Sequence, residues 1–333
     1  MTTPVAVVAF FGGALVSLST SWLVVSRIER VGARVGATEA LLGVVAALAG
    51  DAPEITSAVT ALVDHQGAVA AGVAIGSNVF NLAALLGLGA VVAGGIALHR
   101  RAVALQGAVA VWIAAACVLT VAGVFDAATG LAVVCVALVP YVALTATSGS
   151  RRWQRPGRSR WERWAAAAIA EEEIELSAVV HPRRGRAVDA LTAAVALVVV
   201  VVASVVMERA AVQLGSRLAV SQIVVGGVAL AAVTSLPNAV AAGYWARRDR
   251  GVAMLSTGLN SNAFNVAAGL LLPAVVLGLG HRSGPQILTA GWYVGLTVVT
   301  VALAYRRRAL SRAAGWVIIV LYLVFVAVLA AGG

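Results

Sequence analysis

Apolar runs of about 20 residues recur along the whole chain, separated by short polar gaps. We read ten, near 4–26, 37–63, 68–95, 103–124, 127–146, 187–207, 218–244, 252–279, 287–304 and 314–331. Runs of that length predict membrane-spanning helices. Two adjacent runs are interrupted at mid-length. Gly50-Asp51-Ala52-Pro53-Glu54 breaks the second, and Gly76-Ser77-Asn78 with Asn81 breaks the third. A carboxylate in the middle of a hydrocarbon-spanning segment is costly and implies a function. Pro and Gly at that depth free backbone carbonyls, which is tolerated where they line a cavity. The pattern points to an ion site.

A second copy of the interruption follows. Pro53 and Pro237 are 184 residues apart, and the same offset links Gly43 to Gly227, Ser77 to Ser261, Asn78 to Asn262, Phe80 to Phe264 and Asn81 to Asn265. One constant offset across two runs and their loop implies a duplicated unit. The expected division is 1–146 as a first transmembrane repeat, 147–186 as a cytoplasmic linker and 187–333 as a second repeat. With five spans each, the copies enter the membrane in opposite senses, as inverted repeats do in transporters. The expected fold is therefore an all-α integral membrane protein, ten transmembrane helices in two inverted five-helix repeats, with broken helices at the ion site.

Charge orients the chain. All 24 basic residues are Arg, and 21 of them fall in odd-numbered loops. The positive-inside rule then places those loops in the cytoplasm and both termini outside, in a cell (inner) membrane. The first run has no basic residues before it and leads straight into Arg27, so it reads as a span and not a cleaved leader. A net charge of +10 could suggest nucleic acid. Basic loops facing an anionic leaflet explain it better, and no nucleic-acid partner is expected. The linker opens with RRWQRPGRSRWERW and turns acidic at Glu171–Glu175. It reads either as an interfacial helix or as a solvated linker.

The doubled motifs, G-x(6)-[GT]-[DS]-x-P-[EN] followed by [GN]-S-N-x-F-N, resemble the two alpha-repeats of the cation/calcium antiporter superfamily, the sodium/calcium exchangers. The resemblance covers about 110 residues directly. It implies a secondary antiporter, not an enzyme, with inorganic cations and the lipid bilayer as partners and a monomeric state. No cofactor is implied; Ca2+ and Na+ (or H+) are cargo. Carried over by position, it implicates Ala47, Gly50, Asp51, Glu54, Ser77 and Asn81 in the first half. In the second it implicates Ala231, Thr234, Ser235, Asn238, Ser261 and Asn265. It also implies that spans one and six slide across a four-helix core.

The chain departs from the family in one half. Asn238 stands where Glu is usual and Asn265 where Asp is frequent, while Asp51 replaces a usual Ser or Asn. Asp51 and Glu54, three apart, share a helix face. Both anionic ligands then come from one repeat. Either Asp51 restores a two-charge site for one divalent ion, or one carboxyl carries a proton and H+ or K+ is the counter-ion. Calcium takes six to eight oxygens, some anionic. No thiolate or imidazole lies near, which disfavours zinc and copper.

Other readings are weaker. A two-aspartate intramembrane hydrolase lacks its second core Asp, and no His is expected to be buried. A channel would use the same lining, but broken inverted repeats favour alternating access. Cys117 and Cys135 read as buried apolar thiols. Glu39 reads as an interfacial carboxylate or a gate. Asp64 and Asp126 read as solvated, and Asp189 as paired with Arg184 or Arg186.

Overall fold

The computed structural model describes residues 2–35, 45, 47–147, 160–177, 185–240 and 251–332. Glu39, Gly43, Arg184, His181 and Arg247–Arg250 lie outside the described residues. The described chain is almost wholly helical. Eight helices are long and apolar enough to cross a membrane. We number them with their shorter companions: α1 Thr3–Val35, α2 Ala52–Val63, α3 Gly67–Ala93, α4 Arg100–Val121, α5 Ala127–Thr147, α6 Arg160–Ser177, α7 Ala187–Arg217, α8 Gln222–Thr234, α9 Gly251–Leu277, α10 Gly284–Arg307 and α11 Arg312–Gly332. The chain is a multi-pass membrane protein.

The two shorter apolar helices, α2 and α8, carry the interruptions. Residues 47–50 are helical, Asp51 turns, and α2 follows; α8 ends at Thr234, Ser235 turns, and helix resumes at 236. Asp51 sits at φ −81°, ψ 0°, and Ser235 at φ −89°, ψ 3°. Two residues 184 apart thus adopt the same conformation, each two positions before a proline. The breaks are milder than the sequence suggests. Asp51 still donates to the Ala47 carbonyl (2.9 Å) and Ser235 to that of Ala231 (3.1 Å). A helical proline deprives the carbonyl four residues earlier of its donor. Here those carbonyls belong to Ala49 and Val233.

α3 and α9 are the innermost helices, and their cores widen into π-type turns at Leu82–Leu88 and Asn265–Leu271. The two segments sit at nearly the same place in each copy, directly after the Ser-Asn motifs, and such turns concentrate at functional sites. α3 packs on the start of α8 at van der Waals limits. A Cβ on Gly76 would lie 2.5 Å from the Gly227 carbonyl oxygen, and one on Gly226 would lie 2.4 Å from that of Val69. Only glycine permits this approach, as in small-residue packing of membrane helices.

α1 and α7 run antiparallel along their full lengths. Arg217 donates to Thr3 at one end (2.5 Å), Ser17 meets Ser204 midway (2.8 Å), and Arg27 pairs with Asp189 at the other (2.6 Å). Asp189 thus takes its cations from α1, Arg27 and, at 3.6 Å, Arg30; Arg186 gives only its backbone N–H. Of the two partners expected, Arg184 lies outside the described residues and Arg186 contributes its backbone; helix pairing brings α1 across. Asp64, expected to be solvated, holds Arg209 through two bonds of 2.9 and 3.1 Å. Asp126 is exposed and accepts from the Thr129 backbone and hydroxyl, which hold its carboxyl below the usual range.

The fold is not purely α. Gly95–Ala97 and Ala309–Ser311 form a short antiparallel ladder, β1 and β2, pairing Ile96 with Leu310. Within the linker, α6 is a helix whose Ala168 and Ile169 pack on Leu105 and Tyr141. Trp161 and Trp164 stack with ring centroids 5.3 Å apart. Cys117 is buried and Cys135 half-buried, both free. His65, His99 and His281 are exposed.

Candidate cation site

The turns at Asp51 and Ser235 point their side chains into one polar cluster closed by α3 and α9. Asp51 and Glu54 are buried at 0% and 1% exposure, as are Ser77, Asn81, Ser261 and Asn265. Both acids come from the first copy, and both are held by donors from the second. The Ser261 hydroxyl donates to Asp51 Oδ1 at 2.5 Å. The Ser235 hydroxyl donates to Glu54 Oε1, and Asn265 Nδ2 donates to Glu54 Oε2 at 2.5 Å.

Amides link the two acids into one network. Asn238 Nδ2 donates to Asn81 Oδ1 (3.1 Å) and to Ser261 Oγ (3.3 Å). Asn81 Nδ2 donates to Ser261 Oγ (3.2 Å) and Asn262 Oδ1 (3.3 Å). Asn265 Nδ2 also reaches Asn78 Oδ1 (3.1 Å). The contact of Asn265 with Glu54 is repeated, 184 residues away in each partner, by that of Asn238 with Asn81. The second copy has an amide where the first has an acid, so the direction of donation reverses.

Three buried atoms of the expected set have no hydrogen-bond partner: Asp51 Oδ2, Ser77 Oγ and Asn265 Oδ1. All three are oxygens. Buried polar atoms are rarely left unpaired, and each such case asks for an explanation. An oxygen-rich, partly anionic nest fits a hard cation. Among the described residues, no three His, Cys, Asp or Glu side chains gather. The donor set is therefore two carboxylates plus neutral oxygens.

Of the twelve residues expected, Asp51, Glu54, Ser235, Asn238, Asn81, Ser261 and Asn265 share this network. Ser77 is buried with them in the same motif. Thr234 is buried, but its hydroxyl donates back to Leu230 at 2.9 Å. The Ala47 and Ala231 carbonyls take ordinary helical bonds, and the Gly50 carbonyl accepts from Ser21 at 3.3 Å. Asn78 and Asn262 escaped the expected set although they tie α3 to α9. Their signal was the repeated motif itself. Ser21 also escaped; a polar residue in an apolar run was its signal.

A sodium/calcium exchanger protein family model matches residues 5–153 and 189–331, most of the chain. The chain belongs to the sodium/calcium exchanger family. That family is one of transporters. A mouse (Mus musculus) protein, sodium/potassium/calcium exchanger 2, is 27% identical over 124 residues, covering 35% of this chain and 19% of the relative. The Drosophila melanogaster exchanger Nckx30C is 29% identical over 112 residues, covering 32% and 13%. The matched stretch thus spans less than a fifth of these relatives' length. Among solved structures, the sodium-calcium exchanger NCX_Mj superposes with a TM-score of 0.64 at 19% identity, covering 98% of this chain and 99% of that one. The H+/Ca2+ exchanger CAX superposes with a TM-score of 0.71 at 14% identity, covering 98% and 85%. At these identities the likeness establishes the fold.

Proposed function

We propose that this exchanger-family chain is a secondary active cation antiporter that moves Ca2+ against Na+ by alternating access. The observation that carries the reading is the nest itself: two membrane-buried carboxylates from one copy, gripped by hydroxyls and amides of the other, with three oxygens left without donors. Asp51 and Glu54 supply the formal charge. Ser77, Asn81, Ser235, Asn238, Ser261 and Asn265 supply neutral oxygens, while Ala47, Gly50, Ala231 and Thr234 flank the two turns. Because donors from one copy hold the acids of the other, a shift between copies would change the ligand set. Such a change is what alternating access requires.

The same reading includes ten spans in two inverted halves, 1–146 and 187–333, joined by the 147–186 linker. It places both termini outside an inner membrane and treats the unit as a monomer. The antiparallel α1–α7 pair supports the inversion, since these are the first helices of each half. It also supports sliding of that pair across the core. No enzymatic step and no cofactor is involved.

One feature favours a second reading of the counter-ion. Asn238 is an amide that donates to Asn81 and Ser261, so the second copy brings no charge. With two carboxylates in total, H+ or K+ could take the place of Na+. The named relatives include a sodium/potassium/calcium exchanger and an H+/Ca2+ exchanger. Reconstituted vesicles separate the cases. An outward Na+ gradient should drive 45Ca2+ uptake. Uptake that ignores Na+ and follows a pH or K+ gradient establishes the second reading. Flux that needs no counter-ion would indicate a channel and contradict both.

A further inference from the structure

Glu208 lies on α7, outside the cluster just described. Its side chain is fully buried, and neither carboxyl oxygen has a hydrogen-bond partner. An intramembrane acid without a partner marks a functional site by default and calls for a positive charge.

Its depth follows from the α1–α7 pairing. Ser21 reaches the Gly50 carbonyl and so marks the level of the ion cluster. Ser17 faces Ser204, and Gly13 abuts Ala203 and Met207. Glu208 is therefore close to the level of Gly13, about 12 Å along α1 from Ser21 at 1.5 Å per residue. The displacement is toward the end marked by the Arg217–Thr3 and Arg209–Asp64 contacts. Ser204 and Glu208 are four apart and share a face. Ser21, Ser17, Ser204 and Glu208 thus form a buried polar file where α1 faces α7. On α2, the Ser57 hydroxyl lies one turn beyond Glu54 toward Asp64, also buried and without a partner.

The charged groups around this end are committed elsewhere. Asp64, at the end of α2, binds Arg209 through both oxygens. Arg217 binds Thr3. α1 has no charged side chain between Thr3 and Ser26, α8 has none, and His65 is exposed beyond Asp64. Among the described residues, Glu208 is left without a cation of its own.

We propose that Glu208 holds a small monovalent cation, a proton or Na+, as an intermediate stop between the Asp64–Arg209 end and the Asp51–Glu54 cluster. Ca2+ is the wrong cargo for this stop. It needs six to eight oxygens, and the next hydroxyls in the file, Ser17 and Ser204, already satisfy each other. The destination of the route rests on the function proposed above; binding at Glu208 does not.

The test uses the full chain with Asp51→Asn and Glu54→Gln, which removes the cluster's acids. Infrared difference spectra are recorded on replacing choline chloride with NaCl at fixed pH, and on stepping pH without Na+. A carboxyl-band change is expected in one of the two arms, and its loss when Glu208→Gln is added. The arm that responds identifies the ion. Other carboxyls also titrate, so the readout is the difference between spectra with and without Glu208→Gln; if no carboxyl-band component is lost in that variant in either arm, the proposal is overturned. If the Glu208→Gln chain does not fold, Glu208→Asp decides: a displaced band supports the assignment and an unmoved band overturns it. Since the cluster's acids are absent throughout, neither result depends on whether that cluster binds Ca2+.

Discussion

Asn78 and Asn262 hold each other by a reciprocal exchange. Each donates its side-chain amide to the other's backbone carbonyl, at 3.0 and 3.1 Å. They are 184 residues apart, equivalent positions in the two copies, so the exchange lies on a local two-fold axis. Both residues are buried, and both immediately precede the segments that carry Asn81 and Asn265. The pair fixes the separation of α3 and α9 at the level where the acids sit.

Replacing either Asn by Ala removes one bond of the exchange and also the amide oxygen that accepts from Asn265 (at Asn78) or Asn81 (at Asn262), leaving a buried donor unpaired at a cost of about 1–3 kcal/mol. The two losses should not add, because the residues are in contact. A double-mutant cycle in detergent, read by chemical denaturation, should give a coupling energy of at least ~0.5 kcal/mol. Additive losses would show that the two bonds are independent.

The glycine contact between α3 and α8 makes an asymmetric prediction. A methyl group on Gly76 would collide with the Gly227 backbone, whereas one on Gly227 would press on Leu329 Cδ2, at 3.2 Å, and meet the Gly72 backbone only at an ordinary 3.7 Å. Gly76→Ala should destabilise by about 1–3 kcal/mol or more, as overpacking does. Gly227→Ala should cost markedly less, because a flexible side-chain end can move. Melting temperatures of the two variants provide the check. Equal losses would mean that the helices do not approach as described.

Asn238→Glu tests the charge distribution. Glutamate cannot donate to Asn81 Oδ1 and Ser261 Oγ as the amide does, and it places a third carboxylate near Asp51. Without cations the variant should be less stable than the parent, by about 1–3 kcal/mol for the lost donor and the like charge. Divalent cations should restore stability more strongly than they do in the parent. Thermal unfolding across a Ca2+ series reads both effects. A variant indifferent to Ca2+ would place residue 238 outside the ion's surroundings.

Much of this architecture was legible in the chain. Apolar runs located the eight helices long enough to cross a membrane, and the constant offset related the two interruptions whose side chains meet in the polar cluster. Seven of the expected site residues meet in one network because the motif records both the break and its partner. What the sequence hid was long-range or subtle. Asp189 pairs with Arg27 across 162 residues, which no local spacing reveals. The helix breaks proved to be single-residue turns, so the carbonyls of Ala47 and Ala231 stay within their helices, while Pro53 and Pro237 supply no helical N–H to those of Ala49 and Val233. Glu208 falls one residue past the apolar run read at 187–207. Its burial emerges only when α1 and α2 pack over α7.

The central claim is that Asp51 and Glu54, framed by oxygens of the second copy, bind the transported cation. Equilibrium 45Ca2+ binding to the purified protein, with Glu54→Gln and Asp51→Asn alongside, tests it directly. Saturable binding in the parent that falls at least tenfold in both variants, with melting behaviour otherwise preserved, is the expected result. Undiminished binding in both variants would contradict it.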